Sequence, residues 1–120
     1  MPGLNSAAMT VASTALKAAM GYAQLHHDSA GLYGTANQTT AARRPVTWGT
    51  ISGLGNLSLA SAINFTGGEP ESAVYSVTLW SDAPTGGTCY GEFPITSGAR
   101  TFSASGEFTV SSLDLDGSAA

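Results

Sequence analysis

Two periodicities divide the chain. From Ser6 to Met20 the run SAAMTVASTALKAAM holds no Gly or Pro, and Val11, Ala15, Ala19 and Tyr22 fall on one stripe with Ala8 and Ala18 flanking it. The spacing predicts a single helix over 5–21, capped by Asn5 or Ser6 and stopped by Gly21. Its stripe is mostly alanine, and at about 25 cal/mol per Å2 a methyl group gains little from burial. Such a helix needs a partner surface close by. Beyond Gly21 the period drops to two. In LSLASAINFT, Leu57, Leu59, Ser61, Ile63 and Phe65 share one face, and Ser58, Ala60, Ala62, Asn64 and Thr66 the other. In AVYSVTLW bulky groups stand on both faces, which predicts a central strand covered on both sides. The turn APTGGT, built on Pro84, Gly86 and Gly87, joins it to TCYGEFPI as a hairpin, and ITSGART is a second turn. In the closing EFTVSSLDLD, Phe108 and Val110 have one parity and Leu113 and Leu115 the other, so a one-residue bulge is expected at Ser111-Ser112.

These elements predict a mainly β protein, an antiparallel β-sandwich of jelly-roll-like form with one N-terminal α-helix. A single domain is expected over 1–120, with the helix at 5–21, the sandwich at 22–116 and a tail at 117–120. Composition sharpens this. Of the 120 residues 42% are hydrophobic but only 10% charged, and Lys17 is the one lysine. So uncharged a surface suits a protein packed against neighbours in an assembly. The net charge of −4, with Arg43-Arg44 the one basic pair, argues against direct nucleic-acid binding. No apolar run approaches membrane-spanning length, so no membrane insertion is expected. Met1-Pro2-Gly3 lacks a basic leader region, which leads to the expectation of synthesis in a cytoplasm without export by the general secretory route. Cys89 stands alone, so neither an internal disulfide nor a cysteine zinc site is expected, and a small hydrophobe in a strand is.

Candidate chemistry concentrates between Leu25 and Trp48, LHHDSAGLYGTANQTTAARRPVTW, which holds both histidines, Asp28 and Arg43-Arg44. Adjacent strand residues face opposite sides, so His26 and His27 do not share one metal ion, and a strand-end histidine bonded to nearby backbone is expected. No GxSxG nucleophile elbow occurs, and Gly53-Leu54-Gly55 lacks the third glycine and the following helix of a dinucleotide fingerprint. Glu69 and Glu71 flank Pro70 in what reads as a solvated turn, Asn64-Phe65-Thr66 is a glycosylation sequon in form only, and Asp114 and Asp116 read as edge protection. No catalytic residue, metal or cofactor is expected. In AARRPVTW, Arg44, Val46 and Trp48 share a parity; Pro45 marks an edge position, Trp48 is expected to bury inward, and one arginine to pair with Asp28 or a C-terminal aspartate.

Leu25-His26-His27-Asp28, the loop GLYGTANQ and Ala42-Arg43-Arg44-Pro45-Val46-Thr47-Trp48 resemble a family of small tailed-phage virion proteins. These carry a Leu-His…Asp stretch, a Gly- and Asn-rich loop and a Tyr-Ala-Arg-x-x-Val-Thr-Trp strand, and are described as tail fibre or minor tail proteins. VTLWSDAPTGGTCYG (Val77 to Gly91) is similar to their Leu-Trp-Ser-x-x-x-Gly-Gly-Thr segment, and the likeness extends over most of the chain. Ala41 stands where the family has the tyrosine. The resemblance implies a non-enzymatic structural protein of a bacteriophage virion, in the tail tip or fibre, assembling with itself as a homotrimer and with other virion proteins. A capsid decoration protein on the major capsid lattice is the alternative. A module binding host-surface glycan through Tyr33, Tyr90 or Trp80 is a further one, and a cell-wall hydrolase would need His27 and Asp28. The residues expected to matter for structure and assembly are His26, Asp28, Arg43, Arg44, Trp48 and Trp80.

Overall fold

Asn5 accepts a hydrogen bond from the Ala8 backbone N–H and starts helix α1 (Ser6–Ala19), which closes on the Met20 N–H bonding Leu16 O. The computed structural model describes residues 4–83, 85–96 and 98–115. The turn residue Pro84, Ser97 of the second turn, Asp116 and the expected 117–120 tail lie outside the described residues.

Among the described residues eight short strands follow: β1 (Tyr22–His26), β2 (Arg44–Pro45), β3 (Leu57–Ser58), β4 (Ile63–Phe65), β5 (Ser76–Trp80), β6 (Cys89–Pro94), β7 (Phe108–Val110) and β8 (Asp114–Leu115). Four of them form one antiparallel sheet in the order β2-β1-β5-β6, with Pro45 on its edge strand as its missing N–H requires. The ladders β3-β8 and β4-β7 make the opposing layer. Ala23, Leu25, Val77 and Leu79 of the large sheet meet Leu57, Ile63, Phe65, Phe108 and Val110 in one core, with Phe102 edge-on to Phe108. The chain is thus a mainly β, antiparallel sandwich with one N-terminal helix.

Three details differ from the sequence expectation. LSLASAINFT keeps its parity, with Leu57, Ile63 and Phe65 buried, but breaks after Ser58, where the Ala60 N–H bonds Thr47 O. The chain thereby changes partner from β8 to β7. The closing segment breaks likewise: β7 ends at Val110 and β8 begins at Asp114, so the parity shift at Ser111-Ser112 is a change of ladder rather than a one-residue bulge. The irregularity sits instead in the hairpin, where Leu79 pairs with Gly91 and Trp80 with Cys89.

The helix faces the body with another side. Met9 and Ser13 are buried, while Val11 is 72% exposed. The Ser13 hydroxyl donates to Gly55 O and Lys17 Nζ to Gly49 O at 2.9 Å, so polar contacts to the loop before β3 set the rotation that an alanine stripe leaves open. Gly55 has φ +79°, and a Cβ there would stand 2.6 Å from Met9 O.

Candidate functional site

β1 and β5 pair with Gln24 opposite Thr78 and His26 opposite Ser76, which puts four polar side chains on the face of the sheet away from the core. All four are buried. What covers them is residues 27–43. The His27 N–H bonds Asn37 O and the Thr39 N–H bonds Leu25 O, so the loop returns alongside β1. Gln24 Nε2 donates to Ala41 O at 3.1 Å.

His26 is at the centre. Its Nδ1 lies 2.8 Å from Ala36 O and its Nε2 2.8 Å from the Thr78 hydroxyl. A carbonyl only accepts, so Nδ1 carries the proton and the bare Nε2 receives the Thr78 O–H. Thr78 in turn accepts the Trp80 indole N–H at 2.7 Å. Protons therefore run one way along Trp80, Thr78, His26 and the Ala36 carbonyl. Burial holds the His26 pKa below its ordinary 6.5, against the opposing pull of the Ala36 carbonyl and Glu92, so the neutral ring is favoured. Beside it the Glu92 carboxylate accepts from the Ser76 hydroxyl and, at 2.8 Å, from the Ala30 N–H. That bond pins the start of the loop to β6.

Arg43 closes the other end. Its Cζ sits 3.9 Å from the centre of the Trp80 ring, and Nη1 donates to Asp82 O at 2.7 Å and Gly86 O at 2.8 Å. Burial lowers its pKa, with Asp82 opposing. Gly34, at φ +75°, passes so near the hairpin that a Cβ there would stand 2.5 Å from Cys89 Sγ and 3.1 Å from the Trp80 ring.

The expected residues are thus partly gathered. His26, Arg43 and Trp80 lie in one buried layer. Among the described residues neither arginine takes an aspartate side chain as its partner. Arg43 reaches backbone carbonyls, Arg44 is exposed on β2, and Asp28, also exposed, accepts from its neighbour Ser29 N–H. Trp48 does bury inward, elsewhere, with its indole N–H on Met20 O at 2.9 Å. Trp80, proposed as an exposed sugar platform, is 2% exposed and capped by Arg43. Tyr33 and Tyr90 do reach solvent. Cys89, expected as a buried small hydrophobe, is only part-buried. Thr78, Ser76, Gln24 and Glu92 escaped the sequence reading. The signal was there: polar residues interrupting an apolar strand, placed to pair with other polar residues across the ladder.

Open clefts mark the surface, two of which bear on the expected residues and the core edge. One, of about 400 Å3, brings exposed His27 near Glu69, with Thr39, Thr40 and Ser72, but does not include Asp28. The other, of about 430 Å3, opens on the core side of the sheet between β6 and the β7–β8 segment. Among the described residues no cluster of three or more His, Cys, Asp or Glu is placed to hold a metal ion, and no helix is long and apolar enough to cross a membrane. Comparison with protein-family models, with curated proteins and with solved structures yields no match.

Proposed function

We propose that this protein is a non-enzymatic structural component of a tailed-phage virion, a minor tail, tail-tip or fibre protein that works by assembling with copies of itself and with other virion proteins. The supporting observation is how the chemistry-bearing residues are used. His26 and Arg43, the residues of the Leu25–Trp48 stretch best suited to catalysis, have their ring nitrogens and Nη1 engaged in bonds that fasten a covering loop to a sheet. A general base needs a free nitrogen within reach of substrate, and the bare nitrogen of His26 is filled by Thr78. The charge-poor sequence and its resemblance to tail proteins point the same way. Homotrimers are the expected assembly.

Quantitative mass spectrometry of purified virions tests this. A few copies per particle support a tail position, hundreds support decoration of the capsid lattice, and absence from the particle overturns both. Clearing of cell-wall substrate by the purified protein, abolished by His27→Ala, would establish an enzyme instead.

A further inference from the structure

Residues 27–38 leave β1 and return to it, closing a loop over His26. Their ends are joined by the antiparallel bridge between His26 and Gln38 and by the His27 N–H on Asn37 O. Of these residues only Ala30 and Gly34 are buried, so the loop gains little from apolar burial. Three contacts tie it to the sheet. His26 Nδ1 donates to Ala36 O and the Ala30 N–H to Glu92, both at 2.8 Å, and Gly34 lies against Cys89. The bonds from Gln24 to Ala41 O and from Arg43 to the hairpin turn come after it in the chain and hold the rest of the covering segment. A part so lightly tied opens at lower free energy than the packed core beneath it.

We infer that residues 27–38 are a lid that acid releases: protonation of His26 lifts them from β5 and β6 while the sandwich beneath stays folded. With the lid shut the ring has no exposed surface, so a charge on it is held away from water. Glu92 from β6 favours the cation, while His27 at the start of the lid and Arg43 from beyond it disfavour it; β5 faces the ring with the hydroxyls of Ser76 and Thr78. Burial outweighs the support of the Ala36 carbonyl and Glu92 and keeps the ring's pKa below 6.5, the value that a ring open to water regains. Closure is therefore fully favoured above about pH 6.5 and weakens as pH falls through it. Leu32 and Tyr33, 89% and 77% exposed, ride on the lid, so acid changes where they point. The device is built into the single chain and stands apart from the assembly reading above.

Cys89, the one thiol of the chain, sits under Gly34 and reports the lid. Its reaction with a dipyridyl disulfide is followed on the full chain from pH 8 to pH 5. Each rate is divided by that of the same chain unfolded in urea at the same pH, which removes the thiol's own titration. In wild type this ratio is expected to rise several-fold as pH falls. His26→Asn, whose amide can still donate to Ala36 O but takes up no proton, is expected to give a flat ratio; His26→Gln takes its place should that chain not fold. Gly34→Ala, propped open by its methyl group against Cys89, is expected to react fast already at pH 8. Urea below the unfolding transition is expected to leave the wild-type ratio at pH 5 unchanged, since denaturant acts in proportion to the surface exposed and a lid exposes little. A wild-type ratio that stays constant with pH overturns the inference. So does an equal rise in a folded His26 variant, or a Gly34→Ala chain no more reactive than wild type. A ratio that climbs steeply with urea also overturns it, because acid would then be unfolding the chain as a whole.

Discussion

The Thr78 hydroxyl donates to His26 Nε2 across the 2.8 Å between β5 and β1, and accepts the Trp80 indole N–H on its other side. One hydroxyl therefore satisfies two buried rings. Thr78→Val keeps the shape and removes both bonds, leaving an unfilled imidazole nitrogen and an unpaired indole N–H in a dry layer. Each orphaned group costs roughly 1–3 kcal/mol, so urea unfolding is expected to show a loss of about 2–4 kcal/mol. A loss near zero would mean that water reaches the layer and the relay is not what holds the loop.

Because burial depresses the His26 pKa, stability depends on pH with a definite sign. The unfolded chain takes up a proton as pH falls through the ordinary 6.5, whereas the folded chain resists it until lower pH. Protons thus favour the unfolded state, and this contribution is complete above about pH 6.5 and is lost as pH falls below it. A protonated ring would also turn Nε2 into a donor, so the Thr78 O–H would have to leave it for the Gln24 carbonyl, a longer bond at 3.4 Å. Thermal unfolding followed from pH 8 to pH 5 is expected to show a falling midpoint, and His26→Gln a flatter profile from a lower start. An equal slope in the variant would place the titrating group elsewhere.

Arg43 joins the covering loop to the hairpin turn through a flat cation on Trp80 and two carbonyls held by one nitrogen. Lysine keeps the charge but neither the stacking plane nor the fork. Arg43→Lys is expected to cost about 1–2 kcal/mol, and Arg43→Ala about 2–4 kcal/mol, since the carbonyls of Asp82 and Gly86 then lose their donor. Limited proteolysis should cut the 81–88 turn faster in both. Equal stability of Arg43→Lys and wild type would reduce the contact to a simple charge.

Gly34 and Gly86 share nearly the same backbone angle, φ +75° and +79°, but only Gly34 is crowded. An added methyl at Gly86 meets nothing within 4 Å, whereas at Gly34 it meets Cys89 Sγ at 2.5 Å. Gly86→Ala should show the conformational cost alone, about 1–2 kcal/mol. Gly34→Ala is expected to exceed it clearly, because the loop must lift from the hairpin. Matched unfolding curves for the two variants would show that the loop is not seated there.

How much of this the amino-acid pattern revealed follows from what periodicity encodes. Alternation marks which face of a strand is apolar, and Leu57, Ile63, Phe65, Phe108 and Val110 all went inward as their parity implied. It does not mark where a strand changes partner, so the break around Ala60 looked continuous and the one at Ser111-Ser112 looked like a bulge. It also shows that AVYSVTLW is covered on both sides without showing by what. The cover proved to be residues 27–43, whose irregular backbone carries no period at all. For that reason the pattern could cover Trp80 without showing that Arg43 is what caps it, and could not show Thr78 between Trp80 and His26.

The helix shows the same limit and offers the sharpest check on it. Alanine on nearly every side leaves the rotation of α1 undetermined by hydrophobicity, so the stripe through Val11 and Ala15 looked as good as any other. The structure turns Ser13 inward instead, where its hydroxyl meets Gly55 O, and leaves Val11 in solvent. Ser13→Ala is therefore expected to cost about 1–2 kcal/mol, the net worth of a buried bond whose carbonyl partner is left behind. Val11→Ser should change the stability of the isolated chain by no more than about 0.5 kcal/mol, as exposed substitutions do. Were the alanine stripe the docking face, the order would reverse, since burying a valine contributes about 1.5 kcal/mol or more and a surface serine next to nothing. Denaturant unfolding of the two variants side by side decides which face of the helix meets the sandwich.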